Sequence, residues 1–341
     1  MQHRRFRGIL DSGASAALFD LLAAPPGQFR GRLIASTLRF ARQMHCDAKH
    51  RLYLNIGHTG LDDPGFGAWV RATGVRPVYL VHDLIPITHP EYCRAGERER
   101  HERRMTTVLT TAAGVIGNSQ ATVDSLAEFG REKQLPLPPT ISAWLGSTPL
   151  ALEGSATAQP ERPTFVIIGT IEGRKNHLLL LNVWTELVAR LGDQAPRLLI
   201  IGQRGWEAEQ VFDMLDRCEA LRGHVVELND CSDEELARHL KSSRALLFPS
   251  MAEGFGLPLV EALGAGVPVI ASDLAVFREI GHGVPEFLSP VDGLGWQEAI
   301  LDYARPGSER RRMQLDRMRQ FRLPDWERHF QAVTEWLRTL S

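Results

Sequence analysis

Glu253 and Glu261 stand with seven residues between them, a stretch that begins Gly254, Phe255, Gly256 and Leu257. The apolar run Arg244–Pro249 ahead of them reads as a buried parallel strand. A short helix is predicted from about Leu257. Gly264 and Gly266 stop it, and Pro268 opens the next apolar run. A strand, a glycine loop and a helix N-terminus leave backbone N–H groups free and aim the positive end of a helix dipole at a ligand, which suits phosphate. Two acids beside that site would repel a bare phosphate. They make sense as acceptors for sugar hydroxyls at either end of a diphosphate. The plainer reading, a structural turn with surface acids, has little use for these glycines, Pro258 and both acids at these positions.

A basic counterpart lies upstream. The apolar strand Phe165–Ile168 ends at Gly169, and a loop delivers Arg174 and Lys175 just before a helix. Arginine binds an oxyanion bidentately and lysine acts as a point charge, so the pair suits a diphosphate. A solvated basic turn is the alternative. In the first half of the chain another strand runs into His82 and Asp83, and Pro86 is expected to end any helix there. Histidine can hydrogen-bond or move a proton near neutral pH; a buried structural histidine is the competing reading. His89 and Glu91, further along that loop, read as structural or acceptor-side. Asn118 and Ser119 follow the run Gly114–Gly117, and Thr122 opens the next helix. They fit equally a cleft position and a helix cap. Gly57, His58, Thr59 and Gly60 form a candidate acceptor or phosphate loop.

These residues need a scaffold of strand ends. Strands are predicted at Arg51–Gly57, Pro77–Asp83, Ala113–Asn118 and Thr140–Trp144, with helices at Phe66–Thr73, Gly96–Thr111 and Thr122–Phe129 between them. Residues 151–163 are small, polar and proline-containing, and read as a linker. Strands are then predicted at Thr164–Ile168, Arg197–Ile201, Val225–Leu228, Ala245–Pro249 and Val269–Ala271, with the amphipathic helix Asp233–Ser242 among the intervening helices. A final helix from about Pro324 to Leu340 carries Trp326, Phe330, Val333 and Trp336 roughly one turn apart, a stripe expected to be buried. Such alternation argues an α/β protein with parallel sheets covered on both faces.

The 341 residues suggest two domains. Formal net charge is -2, which gives no sign of a nucleic-acid partner. No apolar run reaches a membrane span, and the basic start lacks the apolar core of a signal peptide. Cys46, Cys93, Cys218 and Cys231 contain no Cys-x-x-Cys, which fits free thiols in a reduced cytoplasm. There is no Asp-x-Asp for a metal-chelating transferase, and no serine-hydrolase, zinc-protease, Walker A or dinucleotide-binding signature. Glu97–Arg104 alternates charge and reads as a solvated helix face. The arginines between Arg310 and Arg322 are interleaved with Met313, Leu315, Met318 and Phe321. They read as a surface helix with an apolar underside, or as a basic face touching anionic lipid.

Glu253, Gly254, Phe255, Gly256, Leu257 and Glu261, together with Arg174, Lys175 and the His82 segment, resemble the signature of the retaining glycosyltransferases of family 4. The resemblance implies the GT-B fold: two Rossmann-like parallel-sheet domains facing a cleft. The implied organisation is an acceptor-side domain over residues 1–150, the linker 151–163, a nucleotide-sugar domain over 164–323, and a helix over 324–341 that crosses back to the first domain. It implies metal-independent hexosyl transfer from a nucleotide diphosphate sugar, with no other cofactor, to a glycan or lipid-linked glycan in bacterial polysaccharide assembly. Glu261 would take the ribose hydroxyls. Gly169, Arg174, Lys175 and the N–H groups of residues 254–257 would take the diphosphate. Glu253 would take the sugar, with His82 opposite and Asp83, Asn118 and Ser119 as candidate cleft residues. The segment from His82 to Pro90 looks most like bacterial mannosyltransferases, which favours GDP-mannose. The implied location is cytoplasmic, at the inner face of the membrane. One departure stands out. Family members usually begin with a strand, a glycine-rich turn and a long helix, and no such unit is recognisable before Leu52. That leaves a nucleotide-sugar-binding regulatory or partner subunit as the alternative reading.

Overall fold

A computed structural model describes residues 51–148 and 161–340. The expected Ala14–Leu22 helix, Cys46, the unrecognised N-terminal unit and most of the expected linker lie outside the described residues. In the first domain β1 (Leu52–Asn55), β2 (Arg76–Val81), β3 (Gly114–Gly117) and β4 (Thr140–Ser142) pair in that order, all parallel. The helices α1 (Phe66–Thr73), α2 (Ile85–Thr88), α3 (Glu97–Thr111) and α4 (Gln120–Glu132) connect them. Pro86 does not end a helix, contrary to expectation. It sits in the first turn of α2, where its missing N–H costs nothing, and Asp83 Oδ1 accepts from Ile85 N at 3.0 Å to start that turn.

The second domain contains β5 (Thr164–Ile168), β6 (Arg197–Ile201), β7 (Val225–Leu228), β8 (Ala245–Phe248), β9 (Val269–Ser272) and β10 (Glu286–Leu288), in the spatial order β10-β9-β8-β5-β6-β7. Numbered within the domain this is the doubly wound order 3-2-1-4-5-6 read from one edge. The three-residue strand β10 was not anticipated, because Glu286, Phe287 and Leu288 are too short a run to show a period.

Both faces of this sheet are covered, which explains the near-continuous apolar runs. Phe165, Ile167, Ala245 and Leu247 point to one face, under Leu180, Leu181 and Trp184 of α5 (His177–Leu191) and Trp296 and Ile300 of α10 (Gly293–Ala304). The alternate residues Leu246 and Phe248 point to the other, under Leu259 and Leu263 of α8 (Leu257–Gly264) and Phe277 of α9 (Ala275–Gly281). Between α5 and α8 lie α6 (Glu209–Arg217) and α7 (Asp233–Ser242), the latter opened by a reciprocal Ser232–Glu235 cap. In α11 (Glu309–Met318) several arginines turn inward: Arg310 pairs with Glu286, Arg311 donates to the Arg244 carbonyl and Arg317 to that of Val284.

The last helix, α12 (Trp326–Thr339), crosses back to the first domain. Val333, Trp336, Leu337 and Leu340 pack on Val78 of β2 and Ile116 of β3. The expected stripe is buried only in part. Val333 is buried, but Trp326 is 44% and Phe330 59% exposed, stacked on each other with ring centroids 5.7 Å apart. The buried face is offset toward His329, Val333 and Leu340. Gly114 gives this helix its close approach, since a Cβ there would lie 2.6 Å from both Trp336 and Leu340. Gly114→Val is therefore expected to lower stability by about 1–3 kcal/mol, read from the urea midpoint. An unchanged midpoint would mean that α12 does not dock at this position.

Candidate active site

The order of the second sheet creates a switch point. The chain leaves β5 toward β6 on one side and returns to β8 on the other, so the loops after β5 and β8 diverge around a crevice. Those are the loops carrying Glu172–Lys175 and Pro249–Gly256. The structure brings them into contact. Glu253 Oε1 lies 2.5 Å from Lys175 Nζ and Glu253 Oε2 lies 2.9 Å from Arg174 Nη1. Ser250 Oγ donates to Glu253 Oε1 at 2.9 Å. Arg174 Nε pairs with Glu172 at 3.0 Å, and Arg174 Nη1 also donates to the Ala252 carbonyl. Lys175 Nζ sits 4.9 Å above the Phe248 ring. Gly169, at the end of β5, lies beneath the Lys175 side chain.

Two carboxylates and two cations thus form a near-neutral cluster. Burial pushes the Glu253 carboxyl upward, but Lys175 and Arg174 outweigh it and hold the group below the ordinary glutamate range. For Arg174 burial works against the charge, and Glu253 and Glu172 reverse it, so that its pKa is raised. Neither Glu172 nor Ser250 was singled out in the sequence. Each lies within three residues of a motif residue, and only the fold shows that these neighbours are partners.

Glu261 is placed differently. It lies in the second turn of α8, half-buried and outside the ion cluster. Its carboxyl is raised by burial and by Asp233 at the start of α7. Gly256 caps α8 in the left-handed region at φ 108°, where a Cβ would lie 2.7 Å from the Phe277 ring. Phe255 is buried in the core beneath, and Leu257 begins the helix, 38% exposed.

The first domain closes over this site. A Cβ on Gly254 would overlap the His82 carbonyl oxygen, so only glycine permits the approach. Ser119 caps α4 through Thr122 N at 3.1 Å and also donates to the Gly254 carbonyl at 2.9 Å, so the two readings of this residue both hold. Asn118 is buried and accepts from Thr122 Oγ1 at 3.0 Å. His82 Nε2 is 2.7 Å from the Ile56 carbonyl oxygen. A carbonyl only accepts, so Nε2 carries the proton and Nδ1 keeps its lone pair. Behind His82 are His58, 5.5 Å away between ring centroids, and His101, whose Nε2 meets the Asp83 carbonyl at 3.0 Å. Burial, with help from His101, His82 and Arg104, pushes His58 down to about 3, so its imidazole is neutral. Asp83, Thr88, His89, Thr122 and Glu253 share an interdomain cavity of 190 Å³. On the other rim Arg94 lies 4.6 Å over the Trp206 ring, an interdomain cation–π contact.

Residues 153–291 match the model of the family described as glycosyl transferases group 1. The core of the second half is a group 1 glycosyltransferase domain. Among curated relatives, the serotype-specific mannosyltransferase WbdA of Escherichia coli is 30% identical over 228 residues, 62% of this chain and 28% of the relative. The O-antigen chain mannosyltransferase RfbU of Salmonella typhimurium is 32% identical over 139 residues, 40% of this chain and 37% of the relative. The phosphatidyl-myo-inositol mannosyltransferase of Mycolicibacterium smegmatis is 36% identical over 132 residues, 38% of this chain and 32% of the relative. The matches thus span well under half the length of these relatives. Sucrose-phosphate synthase from Thermosynechococcus elongatus superposes with TM-score 0.64 at 18% identity, covering 93% of this chain and 80% of that one. HepE of Anabaena, solved in complex with UDP, gives TM-score 0.64 at 18% identity, covering 92% and 84%. The group 1 domain therefore sits in a GT-B fold.

The ion cluster makes a direct prediction. Glu253→Gln strands two buried cations and is expected to lower stability by about 3 kcal/mol. Adding Lys175→Met should restore part of that loss. Strict additivity in a chemical-denaturation double-mutant cycle would show that the pair is not coupled.

Proposed function

We propose that this chain is a retaining, metal-independent hexosyltransferase. It moves a hexose, mannose favoured, from a nucleotide diphosphate sugar to a glycan or lipid-linked glycan acceptor in bacterial polysaccharide assembly. The observation that carries this reading is the pairing of Lys175 and Arg174 with Glu253 at the β5–β8 switch point. Relatives named for serotype-specific, O-antigen and phosphatidyl-inositol mannosyl transfer support the hexose and the acceptor class. The fold shared with HepE, solved with UDP, supports a nucleotide site on the second domain. Among the described residues no helix is long and apolar enough to cross a membrane. The proposed setting is the cytoplasmic face of the inner membrane.

At rest the charges of Glu172, Arg174, Glu253 and Lys175 cancel. A diphosphate arriving at the start of α8 competes with Glu253 for both cations. The carboxylate it displaces is an acceptor-only group suited to sugar hydroxyls. In the transfer step the bond from the sugar C1 to the β-phosphate oxygen breaks, and its electron pair stays on that oxygen. Lys175, Arg174 and the N–H groups of the Gly254–Leu257 turn stabilise the developing charge, and they are already fixed in place before it appears. The acceptor hydroxyl attacks from the face the phosphate leaves, and its proton passes to the departing phosphate. The Nδ1 lone pair of His82 accepts a hydrogen bond from a sugar hydroxyl. Glu261 takes the ribose hydroxyls in ground and transition states alike.

The test is a panel of nucleotide sugars with labelled hexose and a lipid-linked acceptor. GDP-mannose should give transfer with retained anomeric configuration, and excess EDTA should leave it intact. Selective stabilisation by UDP over GDP would overturn the donor. Activity lost in EDTA and restored by manganese would overturn the mechanism. Binding without turnover of any donor would favour a regulatory subunit.

The two glutamates should separate kinetically. Glu261→Gln should mainly raise donor KM, because uniform binding sets KM, while Glu253→Gln should mainly lower kcat. Wild-type kinetics in both variants would make the motif structural.

A further inference from the structure

Helix α4 belongs to the first domain, yet a carboxylate of the second domain caps it. Glu279 of α9 reaches across the interface. Its Oε1 accepts from Gln120 N at 2.8 Å and its Oε2 from Ala121 N at 3.1 Å. These are the first two amides of α4, donors that no residue of their own helix can satisfy. Glu279 Oε1 also accepts from Trp144 Nε1 at 2.6 Å. Trp144 follows β4, and its ring lies 5.1 Å from that of His282 in the second domain, while its carbonyl accepts from His329 Nδ1 at 2.9 Å. Ala121, Trp144 and Leu145 pack on the apolar core beneath α8 and α9.

The turn that Glu279 grips also touches both halves of the candidate site. Ser119, the cap of α4, donates to the Gly254 carbonyl, one residue from Glu253. Thr122 Oγ1 lies 3.3 Å from the His82 carbonyl oxygen. The first turn of α4 is therefore a bolt between the His82 loop and the Glu253 loop. Glu279 is the charged group that holds the bolt from the second domain. A carboxylate at a helix N-terminus also meets the positive end of the dipole, which strengthens the hold.

We infer that Glu279 is a positioning residue: it latches α4 to the second domain and so sets the distance between His82 and the Lys175–Glu253 pair. It touches neither donor nor acceptor. Its kinetic consequence rests on the transferase reading, whereas its structural consequence does not.

The experiment compares wild type, Glu279→Gln and Glu279→Ala by small-angle X-ray scattering without ligand, by calorimetry with GDP, and by transfer kinetics. Glutamine keeps the shape and one acceptor, but turns a donor toward one of the two amides, so it should fall between the others. Glu279→Ala should increase the radius of gyration and lower kcat by at least about tenfold, since misplacement of about 1 Å can cost a hundredfold. GDP affinity should stay within about twofold, because the proposed nucleotide site lies on the other domain. A variant that merely unfolds would lose GDP binding too, and the glutamine variant then supplies the comparison. Superimposable scattering curves for wild type and Glu279→Ala would overturn the latch. An expanded Glu279→Ala with wild-type kcat would overturn the positioning role. Expansion in a protein whose wild type transfers no sugar would overturn the transferase reading and leave the latch standing.

Discussion

A buried carboxylate must be paired, and much of this structure follows from how Glu253 is paired. The group is enclosed by protein, and an isolated charge there would neutralise instead of persisting. Lys175 and Arg174 keep it ionised. They can do so only because β5 and β8 are hydrogen-bonded neighbours although 76 residues separate the ends of those strands, Ile168 at one and Ala245 at the start of the other. The order of the sheet is thus the condition for the site. A one-strand change in that order would leave two cations and a carboxylate buried apart.

The same loop forces the domains together. Gly254 lets the His82 backbone pass where no side chain could stand, and Ser119 and Thr122 close over the Gly254 carbonyl. Glu279 and Trp144 fasten the hinge side, and Arg94 and Trp206 meet on the opposite rim. The described structure is a closed cleft with its charges satisfied internally. A donor entering it must exchange partners with groups already in place, which is what preorganised electrostatic catalysis requires.

The fold was legible where residue runs are long. The strands Thr164–Ile168, Arg197–Ile201 and Val225–Leu228 and the helix Asp233–Ser242 fall at the expected positions, because their apolar runs and caps are strong local signals. Pro86 misled because proline ends a helix interior but suits a first turn. The Trp326 and Phe330 stripe misled because periodicity shows which residues share a face, not how wide a strip the partner sheet covers. Within the site, Arg174, Lys175 and Glu253 were visible as a motif, but their mutual pairing was not. Glu172, Ser250 and Glu279 carried no signal at all. Glu279 sits in an ordinary amphipathic helix, and only the docking of two domains gives its carboxylate two amides and an indole to bind.

The central claim is that the Lys175–Arg174–Glu253 cluster is the seat of the donor diphosphate. The most direct measurement is a crystal structure of this chain with GDP. The account predicts phosphate oxygens at hydrogen-bond distance, about 3 Å, from Lys175 Nζ and the Arg174 guanidinium, the ribose hydroxyls on Glu261, and Glu253 released from at least one of its cations. GDP bound elsewhere, with the Glu253 pairs unchanged, would contradict it.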